Sequence, residues 1–235
     1  MTTYALVTAP AGGVWRVAHE CYPTFGFAPP RAAMDWPHAQ GPVERDGRWD
    51  DPDSEFATLY VAATMSGALL ETLRRFRRPP TRLLRASRRI AGSDTRGAVP
   101  AAFLRDRRLG VALCKPDACF IDVCDPKTHN QLPESVRSVV SWFGVKDIDR
   151  STMLSPDRRI TRYLARHFHE ECSSRGWTHI RGLRFESRIG PGIECFALWD
   201  NPSPIDDESI SVHHIELDHP ALEHAVATLG LTVTR

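Results

Sequence analysis

The chain has 235 residues, enough for one large domain or two small ones, and is 42% hydrophobic and 25% charged, the balance of a soluble globular protein. Thirty Lys and Arg against 29 Asp and Glu leave a net charge of +1, so bulk electrostatics imply neither a nucleic-acid nor a membrane partner. No apolar run approaches the roughly 18 residues that span a bilayer, and the N-terminus lacks the basic segment and apolar core of a signal peptide; a cytoplasmic protein is expected.

In chain order, residues 1–50 are rich in Pro, Gly and Trp, apart from a strand-like VWRVA at 14–18. FATLYVAA alternates, with Phe56, Thr58 and Tyr60 on one face and Leu59 and Val61 on the other. TMSGALLETLRRF then places Met65, Ala68, Leu69, Thr72 and Phe76 at helical spacing, with Thr64 or Ser66 as cap and Pro79-Pro80 as stop. From Arg74 to Arg89 there are eight arginines and no acid, which reads either as a phosphate-binding surface or as a solvated face. CFIDVCD at 119–125 predicts a strand, and PESVRSVVSWF at 133–143 a short helix begun by Pro133.

In the last third, Ser155-Pro156-Asp157 predicts a cap, a first-turn proline and a first-turn acid. Ile160, Tyr163, Leu164, His167 and Phe168 make the apolar stripe of that helix, and Gly176 ends it. A strand around LRFES sets Leu183, Phe185 and Ser187 on one face; Gly190-Pro191-Gly192 turns the chain into a second strand, IECFALW. Asp218 and Pro220 open a last helix with Leu222, Ala225, Val226 and Leu229 inward, closed by Gly230. These elements predict one α+β domain over residues 1–235. It has a mixed or antiparallel central sheet, flanking helices and an insertion within 80–150.

The six cysteines are too scattered for a disulfide framework and include no C-x-x-C pair, so reduced, mostly buried thiols are expected. His167 and His169 project about 200° apart on a helix and do not converge on one ion, so no metal site is assigned. No Gly-x-Gly-x-x-Gly follows a strand and no P-loop is present, which argues against a redox dinucleotide or a nucleoside triphosphatase role.

Four polar residues stand among apolar or aromatic neighbours: Arg16, Arg48, Glu71 and Ser187. Each has a plain explanation. Glu71 stands four residues before Arg75, the spacing of a surface ion pair; the arginines stack on Trp15 and Trp49; Ser187 starts a turn.

Their order nonetheless resembles the RES-domain family, named for an arginine, a glutamate and a serine. The matching pieces are Trp15-Arg16, Gly47-Arg48-Trp49, Leu59-Tyr60-Val61-Ala62, Ala68-Leu69-Leu70-Glu71, and Phe185-Glu186-Ser187 before CFALW. They span roughly residues 14–75 and 155–200. The departures are Asp46 for a glycine, Asp50 for an asparagine and Glu186 for a proline, and a carboxylate facing the pocket at 50 or 186 would repel phosphate.

The resemblance implies a fold similar to ADP-ribosyltransferase toxins and an enzyme that splits NAD at the nicotinamide–ribose bond, with NAD as substrate rather than cofactor. Inorganic phosphate is a candidate co-substrate, an antitoxin protein a candidate partner, and a homo-oligomer an open alternative. Glu71, Arg16 and Ser187 are the implied catalytic residues; Arg48 and Tyr60 are the implied contacts to NAD or phosphate, with Thr161 or Asn201 as alternative polar contacts. Transfer of ADP-ribose to a macromolecule, and a non-catalytic module using the Arg74–Arg89 surface, are the competing functions.

Overall fold

The structure is a computed structural model that describes residues 4–27, 47–77, 97–200 and 202–234. These residues form β1 (Leu6–Thr8), β2 (Val14–His19), β3 (Thr58–Ala62), α1 (Met65–Leu73), β4 (Ala98–Pro100), α2 (Ala101–Arg105), β5 (Arg107–Ala112) and β6 (Cys119–Asp122). They continue with α3 (Pro126–Asn130), α4 (Glu134–Ser141), α5 (Arg150–Met153), α6 (Arg158–Ser174), β7 (Ile180–Glu186), β8 (Glu194–Trp199), β9 (Ser211–His214), α7 (Pro220–Leu229) and β10 (Thr232–Thr234).

Eight strands make one mixed sheet in the order β1-β6-β7-β8-β3-β2-β5-β9, the core of a single α/β domain. Within it β6 and β7 run parallel and the other neighbours antiparallel. A parallel pair needs a long crossover, and α3 to α6 supply it between β6 and β7. β4 and β10 pair parallel in a separate small sheet.

Alternation decides which side chains each face buries. Leu59 and Val61 turn to one side, with Val14, Phe120, Phe196 and Leu198. Leu183, Phe185, Cys195, Ala197 and Trp199 turn to the other, where α4, α5 and α6 close over them with Val140, Met153, Leu164 and Phe168. A third cluster joins α1 to α7 through Leu69, Leu70, Leu73, Leu222, Ala225 and Leu229.

Several details differ from the sequence expectations. Within residues 80–150, β5 and β6 are inner strands of the eight-stranded sheet, while β4 belongs to the two-stranded one. Residues 78–96 lie outside the described residues. In α1 the buried face is Gly67, Ala68, Leu69, Leu70 and Leu73, because α7 covers a side that the Met65–Phe76 stripe leaves to solvent. Thr64 is its cap, its hydroxyl accepting from Gly67 N at 3.0 Å. The long helix starts later than predicted, with Asp157 rather than Ser155 as cap, and α7 is capped by His219 rather than Asp218. No helix among the described residues is long and apolar enough to cross a membrane.

One backbone irregularity shapes β7. From the Cys119–Ile180 pair to the Ile121–Leu183 pair, β7 advances three residues while β6 advances two, a bulge centred next to Gly182 at φ +151. A Cβ at Gly182 would strike the Ala197 carbonyl oxygen on β8. Gly182→Ala is therefore expected to destabilise the protein by at least about 2 kcal/mol. Gly12→Ala, where nothing stands within 4 Å of the added carbon, should change stability by no more than about 0.5 kcal/mol. Urea denaturation of the two variants checks this, and equal midpoints would remove the strain assignment.

Candidate active site

β3 pairs with β8 along all five of its residues, and β2 pairs with β5 along all six. Between β2 and β3 the register is the one pair Trp15–Ala62. The two strands part there, and a cavity of about 310 Å³ opens between them, walled by Trp15, Tyr60, Ala62, Phe185 and Cys195 and crossed by Ala68, Glu71 and Thr72 of α1. A second cavity of about 170 Å³ adjoins it, lined by Gly47, Arg48, Arg74, Arg158, Glu186 and Arg188. Tyr60, Glu71 and Phe185 line both, so the two form one cleft.

Glu71 stands on the divide. Its Oε1 accepts a short hydrogen bond from the Ser187 hydroxyl, and its Oε2 accepts from Arg74 Nη1 at 3.1 Å. The ion pair is with Arg74, one residue nearer than the expected Arg75, whose guanidinium lies 5.9 Å from the Phe103 ring. Ser187 is buried just past the end of β7; its hydroxyl also accepts from Ile189 N at 3.0 Å, so the hydroxyl proton is committed to Glu71. A hydroxyl with both roles filled holds the carboxylate in one orientation.

Tyr60 has a structural duty alongside its place on the wall. Its oxygen accepts from Trp49 N at 2.7 Å and donates to Asp50 Oδ1 at 2.8 Å. Burial, then the neighbouring Asp50 carboxylate, push the phenol well above its ordinary pKa, so it stays protonated. Asp50 is buried and also accepts from Gly47 N at 2.7 Å, which turns its carboxylate into the loop and away from the cavity. A side chain on Gly47 would run into the Tyr60 oxygen. The other acid in place of a neutral residue, Glu186, pairs with Arg150 and reaches Arg184 at 3.8 Å. Asp46 lies outside the described residues.

Arg48 is fixed by its Nη1, which donates to the Met153 and Ser155 carbonyls at 3.1 and 2.8 Å. Burial, then the guanidiniums of Arg188 and Arg74, push its pKa down to about 10. It remains a cation at neutral pH in a setting that favours an added anion. Arg16 borders the larger cavity, but alternation sends its side chain to the sheet face opposite Trp15 and Val17. There Nη1 donates to Thr24 O at 2.6 Å, and burial lowers the pKa to about 10. Among the described residues, the cations over aromatic rings are Arg75, Arg107, Arg159 and Arg175, so neither Arg16 nor Arg48 stacks on its tryptophan neighbour.

Thr161 is not brought to the cleft. It is fully buried in α6 with its hydroxyl donating to Arg158 O at 3.3 Å. Asn201 lies outside the described residues. Sequence reasoning missed Arg74, Arg158 and Arg188 as cleft residues. Arg74 was legible only as part of an arginine-rich run, and Arg188 carries the single clue of following Ser187. His167 and His169 face different neighbours, Tyr4 and Phe56.

The RES-domain family model matches residues 14–219. The chain belongs to the RES-domain family. Among solved structures, this RES domain is similar to a chain of the M. tuberculosis MbcT–MbcA toxin–antitoxin complex, with 12% identity, a TM-score of 0.48, and coverage of 94% of this chain and 91% of that one. No curated protein matches it.

The phenol's bonds give a test of its structural share. Tyr60→Phe leaves Trp49 N and Asp50 Oδ1 without their partner, which should lower stability by about 1–3 kcal/mol. Denaturation of this variant beside wild type checks it; unchanged stability would mean that the 47–50 loop is held by other contacts.

Proposed function

We propose that this RES domain cleaves NAD at the nicotinamide–ribose bond and passes the ADP-ribosyl group to phosphate or water. The observation that carries this reading is the position of Glu71, which lines both an aromatic-walled cavity and an arginine-lined one. Trp15, Tyr60 and Phe185 offer ring faces and edges to the nicotinamide end. Arg48, Arg74 and Arg188 offer guanidiniums to the pyrophosphate or to an incoming phosphate.

The chemistry asks little of a general acid. When the C–N bond breaks, its electron pair returns to the pyridinium nitrogen and nicotinamide leaves neutral. Positive charge develops on the ribose, and the Glu71 carboxylate, oriented by Ser187, stabilises it electrostatically and through the ribose hydroxyls. An oxygen of phosphate or water then closes on the same carbon, the proton of a water nucleophile passing to solvent. RES-family members include toxins of toxin–antitoxin pairs; a chain that consumes NAD in this way acts as a toxin and calls for a neutralising partner.

Purified protein incubated with NAD, with and without phosphate, and followed by mass spectrometry tests the reading. Nicotinamide with ADP-ribose 1″-phosphate marks phosphorolysis, nicotinamide with ADP-ribose marks hydrolysis, and intact NAD would overturn the proposal. A mass gain on a macromolecule would replace it with ADP-ribosyl transfer.

Glu71→Gln is expected to lower nicotinamide release on the order of 100–1,000-fold with the fold intact by circular dichroism. A preserved rate would leave Glu71 as a partner of Arg74 and Ser187 alone. Arg48→Lys and Arg188→Gln should each lose about 10–100-fold in kcat/KM for NAD, the worth of a charge-assisted contact. Arg75→Gln should stay within about twofold, since that side chain is exposed and turned to Phe103. Parallel losses at all three positions would mean that the arginines act through bulk charge rather than through the cleft.

A further inference from the structure

The two chambers of the cleft differ in character. The larger, of about 310 Å³, is walled by the rings of Trp15, Tyr60 and Phe185; the smaller, of about 170 Å³, sets Arg48, Arg74, Arg158 and Arg188 against Glu71 and Glu186. We propose that the cleft also takes nicotinamide mononucleotide, a nucleotide ending in a phosphate monoester, and hydrolyses it to nicotinamide and ribose 5-phosphate. This rests on the NAD-cleaving reading of the same site and adds a second substrate class to it.

The charge of the small chamber suits a monoester. Four guanidiniums against two carboxylates leave it a net charge of +2, and Glu186 is itself drawn off to Arg150. A phosphate monoester gathers about two negative charges on one phosphorus at neutral pH. In the pyrophosphate of NAD the same charge is spread over two phosphates, so one cluster of arginines gains less from either. The crowding of Arg48 by Arg188 and Arg74 is relieved most by the ligand that brings the most charge to one point.

The donors to grip it are open. Arg48 spends only Nη1, on the Met153 and Ser155 carbonyls. Its Nε and Nη2 make no hydrogen bond among the described residues and are not among the buried, unpartnered atoms, so solvent reaches them. That edge of a guanidinium holds two oxygens of one phosphate. Arg188 is exposed and makes no hydrogen bond or ion pair among the described residues. Arg74, by contrast, is tied through Nη1 to Glu71.

The order of groups along the cleft is the order of groups in the ligand. Aromatic chamber, Glu71 on the divide and arginine chamber match nicotinamide, ribose and 5′-phosphate. With the monoester among the arginines, the place for an incoming inorganic phosphate is filled and water is the acceptor. As the C–N bond breaks, its electron pair goes to the pyridinium nitrogen. A water oxygen bonds to the same ribose carbon, and its proton passes to solvent.

Steady-state nicotinamide release by the purified full chain from NAD, nicotinamide mononucleotide and nicotinamide riboside tests this. The mononucleotide should reach a kcat/KM within about tenfold of that of NAD or above it, and the riboside should fall at least about 100-fold below the mononucleotide. The ratio of mononucleotide to NAD should rise by about threefold from about pH 5.5 to 7.5, because the monoester becomes a dianion near its second pKa of about 6. Arg188→Gln, at an exposed position, should lower kcat/KM for the mononucleotide about 10–100-fold and leave the riboside within about twofold. Inorganic phosphate should inhibit mononucleotide cleavage competitively. NAD cleaved with the mononucleotide poorer by more than about tenfold overturns this inference and leaves NAD cleavage standing, whereas both substrates intact overturn both. A flat pH ratio, an equal loss on the riboside in Arg188→Gln, or acceleration by phosphate each overturns the placing of the monoester among the arginines.

Discussion

The parting of β2 from β3 after the one pair Trp15–Ala62 is the constraint on which the site depends. Each strand is fully paired on its other side, β3 to β8 and β2 to β5, so the sheet stays continuous while its middle opens. Side chains along a closed ladder would pack on one another; here Tyr60 and Ala62 face open space. Small residues at the inner wall, Ala62 and Ala68, keep that space from filling. The helix that follows β3 immediately, α1, crosses the opening and brings Glu71 to it.

The cleft is asymmetric in charge because its acids are spoken for and its arginines are not fully so. Asp50 is turned into the 47–50 loop by Gly47 N and the Tyr60 phenol. Glu186 is drawn to Arg150 and Arg184. Glu71 alone is presented between the two cavities, and burial, then the nearby guanidiniums of Arg188 and Arg74, depress the Arg48 pKa. Like charges held together cost stability, and that cost falls when an anion enters.

Part of this was readable in the chain. β2, β3, β6, β7, β8, α4, α6 and α7 all follow from alternation, helical spacing and caps, and the RES motifs lie on the elements that build the cleft. β1, β5 and β9 were not readable, because short edge or polar-patterned strands such as Arg107–Ala112 carry little alternation of their own and are fixed by their neighbours. The buried face of α1 was misjudged for the same reason: Leu70 and Leu73 are core only because α7, far along the chain, covers them.

By itself, then, the sequence determined which residues make up the motif, Glu71 with Ser187 and Arg48 among them, and the elements on which they ride. It did so because local pattern and residue type are properties of adjacent positions. Tertiary structure alone decided which of the polar residues meet. Ser187 reaches Glu71 across 116 positions, Thr161 is packed away inside α6, and Arg16 is sent by alternation to the other face of the sheet. Such meetings depend on register and crossover, and no local spacing encodes either.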